Sequence, residues 1–287
     1  MEEETVYLNG EYLPYSRALI PVEDRGFIFG DGIYEVMRAY RGRLFRPDDH
    51  WKRLEESARA IRLELPLARE EFARIGRELI ERNGLSDRDA VVYLQVTRGP
   101  APRHHGFPSH PRPTVFAFAR FEPGPDPELR KRGVRLITVP DRRWSMCYVK
   151  SVGLLPNVLA RQEALDRGAD DALFHREGAI TEAVAANFFA YISKRLYTHP
   201  EGAHILSGVT RQIVMVLCTK LGISVARAPL TLRDLPQVEE AFLTGTTVEI
   251  LPVAAVDGVS FPRVPGPVTE KLIQAFEELK RTELGLY

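Results

Sequence analysis

The chain has few of the features that mark secreted, membrane or nucleic-acid-binding proteins. It has only two cysteines, Cys147 and Cys218, without metal-ligand spacing. Its 39 basic and 39 acidic side chains cancel, so charge gives no reason to expect nucleic acid or an anionic membrane as a partner. No apolar run approaches about eighteen residues, and the start is acidic where a signal peptide is basic. We therefore expect a cytoplasmic, globular protein with reduced, packed cysteines and small-molecule ligands.

Lysine is also scarce, because only seven of the 39 basic side chains are lysines. Lys150 stands out, since it lies in a strand-like stretch with Val149, Val152 and Leu154 as apolar neighbours. Arginine keeps its charge, whereas a buried lysine can lose its proton and act as an amine nucleophile. Lys150 is therefore a candidate for a Schiff base. The alternatives are a lysine paired with a carboxylate or one that extends its head to water.

Strand patterns dominate the first part of the chain, and two helical patterns follow them. Asn9-Gly10 and Arg41-Gly42 each separate two short strand patterns, which predicts antiparallel hairpins. Gly84 closes the second helical pattern. The predicted elements are strands 6–8, 12–13, 33–40, 44–45, 91–97 and 114–121 and helices 47–63 and 69–83.

Two irregular segments divide the chain further. Residues 98–113 hold five prolines and two glycines and predict a long loop, which in a compact domain is usually functional or disordered. Residues 122–127 are rich in proline and glycine and lie near the middle. We predict a small N-terminal domain at 1–122, a linker at 123–127 and a larger C-terminal domain at 128–287.

The second half mixes helices and strands without strict alternation, which favours an α+β fold over a doubly wound parallel sheet. The predicted elements are strands at 134–139, near 172, near 188 and at 240–244, and helices 156–167, 209–221 and one from 267.

A lysine that holds pyridoxal phosphate requires an anion site for the phosphate and an acid opposite the pyridine nitrogen. A turn that Gly208 is expected to relieve leads into a helical pattern, so the amides of Val209 and Thr210 predict an anion site at a helix N-terminus. Thr244-Gly245-Thr246-Thr247 follows an apolar strand and predicts a second cradle. Either segment could also be a plain cap or turn.

Two charged side chains are candidates for the remaining roles. Glu182 is the single acid in a tract of small residues and could hold the pyridine nitrogen protonated. Arg53 lies beside apolar residues on a predicted helix and could bind a phosphate through two parallel hydrogen bonds. Alone, each residue could equally be a solvated surface charge.

These elements together resemble the fold-type IV (class IV) pyridoxal-phosphate enzymes. That family includes D-amino acid, branched-chain and R-selective amine transaminases and aminodeoxychorismate lyase. The segment from Asp24 to Glu35 resembles its N-terminal signature, and Lys150, Glu182, the Gly208-Val209-Thr210-Arg211 motif and Thr246-Thr247 follow in order. The resemblance implies a small N-terminal α/β domain and a larger domain with a pseudo-barrel sheet. It implies pyridoxal 5′-phosphate (PLP) as cofactor, bound as a Schiff base by catalytic Lys150. The implied cofactor-binding residues are Arg53, Lys150, Glu182, Leu206, Val209, Thr210 and Thr246.

Within the family, the loop at 98–113 resembles the substrate-carboxylate loop of D-amino acid transaminases. There an arginine and a histidine reach the active site of the partner subunit, and a tyrosine is supplied in cis. These roles fall on Arg103, His105 and Tyr34, and we predict Thr247 as a fourth substrate-binding residue. An arginine, tyrosine and histidine suit a carboxylate through charge-assisted hydrogen bonds. The loop would otherwise be a proline-stiffened surface segment.

The chain departs from that group at two places. Residues 183–186 read Ala-Val-Ala-Ala where a run of serines is usual, and Gly245 stands where serine is common beside the phosphate. We expect cofactor binding to depend more on Arg53, Thr210 and Thr246, with weaker affinity.

The resemblance implies transamination of D-alanine or D-glutamate with pyruvate or 2-oxoglutarate by a ping-pong mechanism, without a metal. A loop borrowed by the partner's site implies an obligate homodimer. The alternatives are a branched-chain L-amino acid or R-selective amine transaminase, a lyase of the aminodeoxychorismate type, or a cofactor carrier without turnover.

Overall fold

The chain folds into two compact units in a computed structural model that describes residues 3–286. The first unit contains the residues up to Pro123 and also Val149–Gly153, and the second contains Gly124–Tyr148 and the chain from Leu154 onward. The first boundary between the units, after Pro123, falls in the predicted linker. The sequence did not predict that Val149–Gly153 belongs to the first unit. The assignment of the second unit as the PLP-binding domain stays a prediction.

The first unit is built on a sheet in which every pairing is antiparallel. Within the described residues its strand order is β2-β1-β6-β5-β3-β4. The strands are β1 Thr5–Leu8, β2 Glu11–Pro14, β3 Gly32–Tyr40, β4 Arg43–Leu44, β5 Ala90–Thr97 and β6 Thr114–Phe121. The helices are α1 Arg25–Phe29, α2 Pro47–Ala60 and α3 Arg69–Arg82, with a 3-10 turn at Tyr15–Arg17.

Both predicted hairpins are confirmed. Asn9 and Gly10 have φ of 49° and 99°, and Arg41 and Gly42 have φ of 48° and 75°. Positive φ at both central residues gives the two-residue turn whose twist matches that of paired strands. Helix α2 ends at Ala60, three residues before its predicted end, because Arg62 adopts φ of 55° and turns the chain out of the helix.

The sheet of the second unit closes on itself. Its path is β12-β11-β10-β13-β14-β7-β8-β9, with β15 on β14, and β9 pairs back to β10. Strands β10, β13, β14, β7, β8 and β9 therefore form a closed ring, which is the pseudo-barrel sheet expected from the resemblance. The strands are β7 Val134–Pro140, β8 Asp171–Arg176, β9 Ala179–Ala183, β10 Asn187–Ile192, β11 Arg195–Thr198, β12 Val225–Arg227, β13 Glu240–Gly245, β14 Glu249–Val256 and β15 Val259–Ser260. The α+β fold class is confirmed.

Four helices and a 3-10 turn complete the described part of the second unit. They are α4 Pro127–Arg132, α5 Leu155–Asp166, α6 Val209–Lys220, the 3-10 turn Leu232–Gln237 and α7 Pro267–Leu284. Helix α5 buries its small residues Ala160 and Ala164 against Ile137, Ala172 and Phe174 of β7 and β8. Small side chains let the helix backbone approach the sheet closely.

The two cysteines are packing residues, as predicted, because Cys147 and Cys218 are free and buried. Burial raises the pKa of the Cys218 thiol to about 12, so it is not a reactive group. In the part of the chain that is described, no helix combines the length and apolar character needed to cross a bilayer.

Candidate active site

Lys150 lies in the first unit, next to the start of strand β3. Its carbonyl accepts a hydrogen bond from the amide of Tyr34 at 3.0 Å, and its own amide donates to Oγ of Ser57 at 3.1 Å. Ser151 forms an isolated antiparallel bridge with Ile33. The segment is therefore aligned like a strand but is not one, which corrects the predicted setting of Lys150.

The amine of Lys150 lies over an aromatic ring. Nζ is 4.3 Å from the ring centre of Tyr34, and the side chain is partly buried. Tyr34 in turn stacks on Tyr93, with ring centres 5.5 Å apart. The structure thus brings together two predicted site residues, the catalytic lysine and the substrate tyrosine supplied in cis.

Arg53 is not solvated, because its guanidinium is buried with a carboxylate and an imidazole. Nε and Nη2 of Arg53 donate to the two oxygens of Glu35, each at 2.8 Å. Nδ1 of His50 lies 2.7 Å from Oε2 of the same carboxylate. Burial alone would raise the pKa of Glu35, but Arg53 and His50 outweigh it and the pKa lies well below its ordinary value. Burial lowers the pKa of His50. Arg53 is therefore a fixed cation rather than a mobile surface charge.

The loop at 98–113 is irregular apart from an isolated bridge at Pro100, as predicted. Arg103 and His105 are exposed and meet at Phe29 of α1. Cζ of Arg103 and the ring centre of His105 each lie 5.4 Å from the centre of the Phe29 ring. Among residues 3–286, neither side chain makes a hydrogen bond, ion pair or ring contact with Tyr34. The structure therefore brings two members of the predicted carboxylate trap together, but not the third.

Buried charges hold the base of this loop. Arg25 and Arg98 both donate to Asp31 at 2.8 Å, and Nη1 of Arg25 reaches the carbonyl of His104 at 2.6 Å. Burial would raise the pKa of Asp31, but the two arginines outweigh it and the pKa is lowered. Cζ of Arg98 also lies 3.8 Å from the ring centre of Phe107. The stretch from His104 to Phe107 is thus held by Arg25 of α1 and by Arg98, which pairs with Asp31 just after that helix.

In the second unit, Glu182 occupies the seam where the barrel closes. It is 5% exposed, and its register partner on β10 is Asn187. Oε1 accepts a hydrogen bond from Arg143 at 2.5 Å, and Oε2 accepts from Asn187 at 2.9 Å and from the amide of Leu206 at 3.0 Å. The predicted pyridine-facing acid is therefore a buried, oriented carboxylate rather than a surface residue.

The electrostatic setting of Glu182 favours a further positive partner. Burial raises the pKa of Glu182, although Arg143 and the amide of Leu206 oppose the shift. Arg143 is shared with Asp141, to which it donates from Nη2 at 2.9 Å. Asp141 also accepts from Nε of Arg176 at 3.0 Å, so Arg143 is the one cationic side chain that donates to Glu182 in the described chain, and a protonated ring nitrogen would be a second cationic partner.

Leu206, Val209 and Thr210 lie where α6 begins, as predicted. Val209 and Thr210 are buried in its first turn, and the N-cap residue is Gly208, which has no side chain to cap the helix. The explanation for Gly208 was wrong: its φ is −67°, so no turn requires a glycine. A Cβ there would lie 2.1 Å from Oδ1 of Asn187, so the glycine is needed for space.

Thr246 and Thr247 lie in the turn between β13 and β14. Thr246 is partly buried and Thr247 is exposed. A Cβ on Gly245 would lie 3.4 Å from the carbonyl of Ala185, so this turn contacts the alanine-rich tract that departs from the usual serines. Oγ1 of Thr244 is buried and has no hydrogen-bond partner within residues 3–286. An unpaired buried hydroxyl is costly, which marks it as available to a bound group.

Sequence reasoning missed several residues that hold the predicted ones. Each of them makes a polar contact with a buried side chain at the site. They are Glu35, His50, Arg143 and Asn187. Their only sequence signal is weak: Asn187 interrupts the apolar run from Ala183 to Phe189, so it needs a buried partner. The identity of such partners depends on strand register, which the sequence does not reveal.

Comparison with known proteins identifies the family. The model of the amino-transferase class IV family matches residues 32–256. The chain is 37% identical to the D-alanine aminotransferase of Staphylococcus haemolyticus over 276 residues, covering 95% of this chain and 96% of that protein. The chain belongs to the class IV aminotransferases and is a PLP-dependent aminotransferase.

Solved structures agree with this assignment. The branched-chain amino acid aminotransferase of Escherichia coli superposes with a TM-score of 0.89 at 26% identity, covering 97% of this chain and 95% of that chain. The T.th. branched-chain amino acid aminotransferase with pyridoxamine 5′-phosphate superposes with a TM-score of 0.87 at 28% identity, covering 97% of this chain and 94% of that chain.

The residues of the second unit fit PLP. Glu182 supplies a buried carboxylate for a ring nitrogen, and the start of α6 presents backbone amides suited to a phosphate. The buried hydroxyl of Thr244 is a further donor without a protein partner in the described chain. These groups lie around Asn187, which contacts Glu182, Leu206 and Gly208 and is the register partner of Thr244.

Proposed function

We propose that this aminotransferase acts on D-amino acids, exchanging the amino group of D-alanine or D-glutamate with pyruvate or 2-oxoglutarate. The observation that carries the proposal is the likeness to a D-alanine aminotransferase over 95% of the chain. The exposed pair Arg103 and His105 supports it, because an arginine and a histidine side by side can bind an α-carboxylate through charge-assisted hydrogen bonds.

Lys150 is proposed as the residue that attaches PLP covalently and moves the proton. When bound, PLP supplies an electron sink that stabilises negative charge at the substrate Cα. Nζ of Lys150 would hold the cofactor and, once free, would take up and return the proton of the substrate Cα. The ring of Tyr34, 4.3 Å from Nζ, limits the directions in which the amine can point. Arg53, fixed by Glu35, is proposed to bind the phosphate.

The residues of the second unit are proposed to orient the cofactor. Glu182 would keep the pyridine nitrogen protonated, since three hydrogen-bond donors hold the buried carboxylate in one orientation. The amides of Val209 and Thr210 and the hydroxyl of Thr246 hold the phosphate. Leu206, whose amide donates to Glu182, binds the cofactor nearer its ring. Thr247, exposed in the next position, contacts the substrate.

We also propose an obligate homodimer, in which Arg103 and His105 of one protomer serve the active site of its partner. Large apolar side chains near α1 support this, because Leu19, Val22 and Phe27 are 80%, 77% and 74% exposed. A cluster of exposed apolar residues beside a functional loop is typical of an interaction surface. A cytoplasmic location is part of the same proposal, supported by the free thiols of Cys147 and Cys218.

The test is a panel of single half-reactions, followed as loss of the absorbance of the bound cofactor. D-alanine should convert the enzyme, whereas L-leucine and R-phenylethylamine should react slowly or not at all. Indifference to D-alanine would overturn the proposal, and a fast reaction with L-leucine or the amine would favour the corresponding alternative. Release of pyruvate without an amino acceptor would indicate a lyase.

The substitution Arg103→Ala tests the carboxylate site separately. Loss of a charge-assisted hydrogen bond should lower kcat/KM for D-alanine about 10- to 100-fold. Arg112→Ala, an exposed arginine of the same loop, is the matched control and should leave kcat/KM unchanged. Equal effects of the two substitutions would contradict a specific role for Arg103.

A further inference from the structure

Asn187 is the residue at which the barrel closes. It begins β10, is 4% exposed, and stands opposite Glu182 of β9 on one side and Thr244 of β13 on the other. The Asn187–Glu182 pair is the one register pair by which β9 and β10 meet within the described chain. A polar side chain at such a buried seam is costly unless its donors and acceptor are all used.

The side-chain amide of Asn187 joins Glu182 to the turn before α6. Nδ2 donates to Oε2 of Glu182 and to the carbonyl of Leu206, each at 2.9 Å. The amide of Leu206 donates to the same Oε2 at 3.0 Å. Glu182, Leu206 and Asn187 therefore form a closed triangle of hydrogen bonds, so the carboxylate cannot rotate without disturbing the turn.

The oxygen of the same side-chain amide lies against the start of α6. Oδ1 lies so close to Gly208 that a Cβ at that position would be 2.1 Å from it. Gly208 immediately precedes Val209, the first residue of the helix. The start of the helix thus packs directly against the side-chain oxygen of Asn187, whose side-chain nitrogen binds the carboxylate.

We propose that Asn187 is a positioning residue that couples the site of the pyridine nitrogen to the site of the phosphate, and so sets the distance between them. This inference rests on the proposed function, because Glu182 and the start of α6 bind opposite ends of PLP. The competing explanation is that Asn187 only closes the barrel. The two explanations differ in their consequences. A residue that only closes the barrel affects stability, whereas a residue that couples the two sites affects recognition of both ends of the cofactor.

The test compares three probes on the apoprotein: PLP, pyridoxal without its phosphate, and inorganic phosphate as a competitor of PLP. In Asn187→Ala the affinity for PLP should fall about 10- to 100-fold, as expected for loss of hydrogen bonds to a charged group. Affinities for pyridoxal and for inorganic phosphate should both fall as well. Asn187→Asp retains the shape but replaces the Nδ2 donor by an acceptor beside Glu182, and it should lose at least as much affinity for PLP. It is the second variant if Asn187→Ala does not fold.

Thr198→Val is the matched control, because it removes a buried hydrogen bond of β11 to the carbonyl of Phe188 and touches neither end of the site. It should lower the melting temperature of the apoprotein and leave all three affinities unchanged. Affinities in the Asn187 variants that match this control would overturn the proposal. A change in pyridoxal or phosphate affinity alone would also overturn it, since Asn187 would then serve one end. Failure of the wild-type chain to take up PLP would instead refute the proposed function.

Discussion

At the scale of single residues, the first unit depends on a buried charge cluster that the sequence revealed only in part. Arg53 could be predicted as a candidate because it lies among apolar residues on a helical pattern. Glu35 and His50 could not be predicted as its partners, because Glu35 of β3 meets His50 and Arg53 of α2 only when the strand and the helix pack together. A buried carboxylate of this kind is sustained by its partners, and removing one partner usually costs more than the pair contributes.

The substitution Glu35→Gln should therefore have a pH-dependent effect on stability. The pKa of Glu35 in the folded protein lies below its ordinary value of about 4.3, so the ionised form favours folding. That contribution is present above the ordinary value and is lost as the pH falls towards the folded pKa. We expect Glu35→Gln to lower the free energy of unfolding by about 3–5 kcal/mol at pH 7. The difference between wild type and variant should shrink as the pH is lowered below about 4.

Urea unfolding of the wild type and the variant at pH 7, 5, 4 and 3 measures this difference. Glu64→Gln, at an exposed position, is the control and should show no such dependence. A difference between wild type and Glu35→Gln that is as large at pH 3 as at pH 7 would refute the assignment of Glu35 as an ionised partner of Arg53.

At the scale of elements, the hairpin of β13 and β14 shows how a helix far along the chain fixes a turn. Glu249 begins β14 with φ of 54°, a conformation that is unfavourable for a residue with a side chain. It is 1% exposed and pairs with Lys280 of α7 at 2.7 Å and with Arg130 of α4. The turn that carries Thr246 and Thr247 is thus anchored by the buried carboxylate of Glu249, which pairs with charges of two helices.

Burial, rather than distance, should decide how much such ion pairs contribute. Glu249→Gln removes one partner of a buried cluster and should lower the free energy of unfolding by about 3 kcal/mol. The exposed pair of Arg74 and Glu78 has nearly the same length, 2.8 Å, and Arg74→Ala should cause little or no loss. Both are measured by urea unfolding at one pH. Equal losses would show that the Glu249 cluster is no better shielded from water than a surface pair.

The elements themselves could be predicted from the sequence where their signals are local. The hairpins at Asn9-Gly10 and Arg41-Gly42 and the helices that begin at Pro47 and Arg69 were found because turn residues and periodicity lie within a few positions. Strand β14 was missed because Pro252 interrupts it, and proline within a run argues against a central strand. The sequence does not predict helix α4, because Pro127 begins it and a proline in a run of prolines and glycines indicates a linker.

At the scale of the whole molecule, long-range pairings escaped prediction. The segment Val149–Gly153 belongs to the first unit although its neighbours on both sides belong to the second. Backbone hydrogen bonds to Gly32 and Tyr34, more than a hundred residues away, hold it there. Lys150 could be predicted from its residue type and order in the chain. Its backbone partners could not, because composition and periodicity carry no information about pairings of that separation.

The proposed homodimer makes a prediction about mixtures of inactive chains. Lys150→Ala removes the amine that is proposed to be catalytic, and Arg103→Ala removes a carboxylate ligand that is proposed to act in the partner's site. If the loop acts in trans, a dimer of one chain of each kind has one site with both defects and one with neither. After subunit exchange, random pairing makes about half of the dimers mixed, so activity with D-alanine should rise to about a quarter of the wild-type value. If the loop acts within its own chain, each site of the mixed dimer keeps one defect and activity stays at that of the separate variants.

The measurement is the transaminase rate of an equimolar mixture before and after exchange in mild denaturant, with each variant treated alone as control. Recovery only in the mixture requires that two chains complete one site, whereas no recovery despite demonstrated exchange would place Arg103 in the site of its own chain.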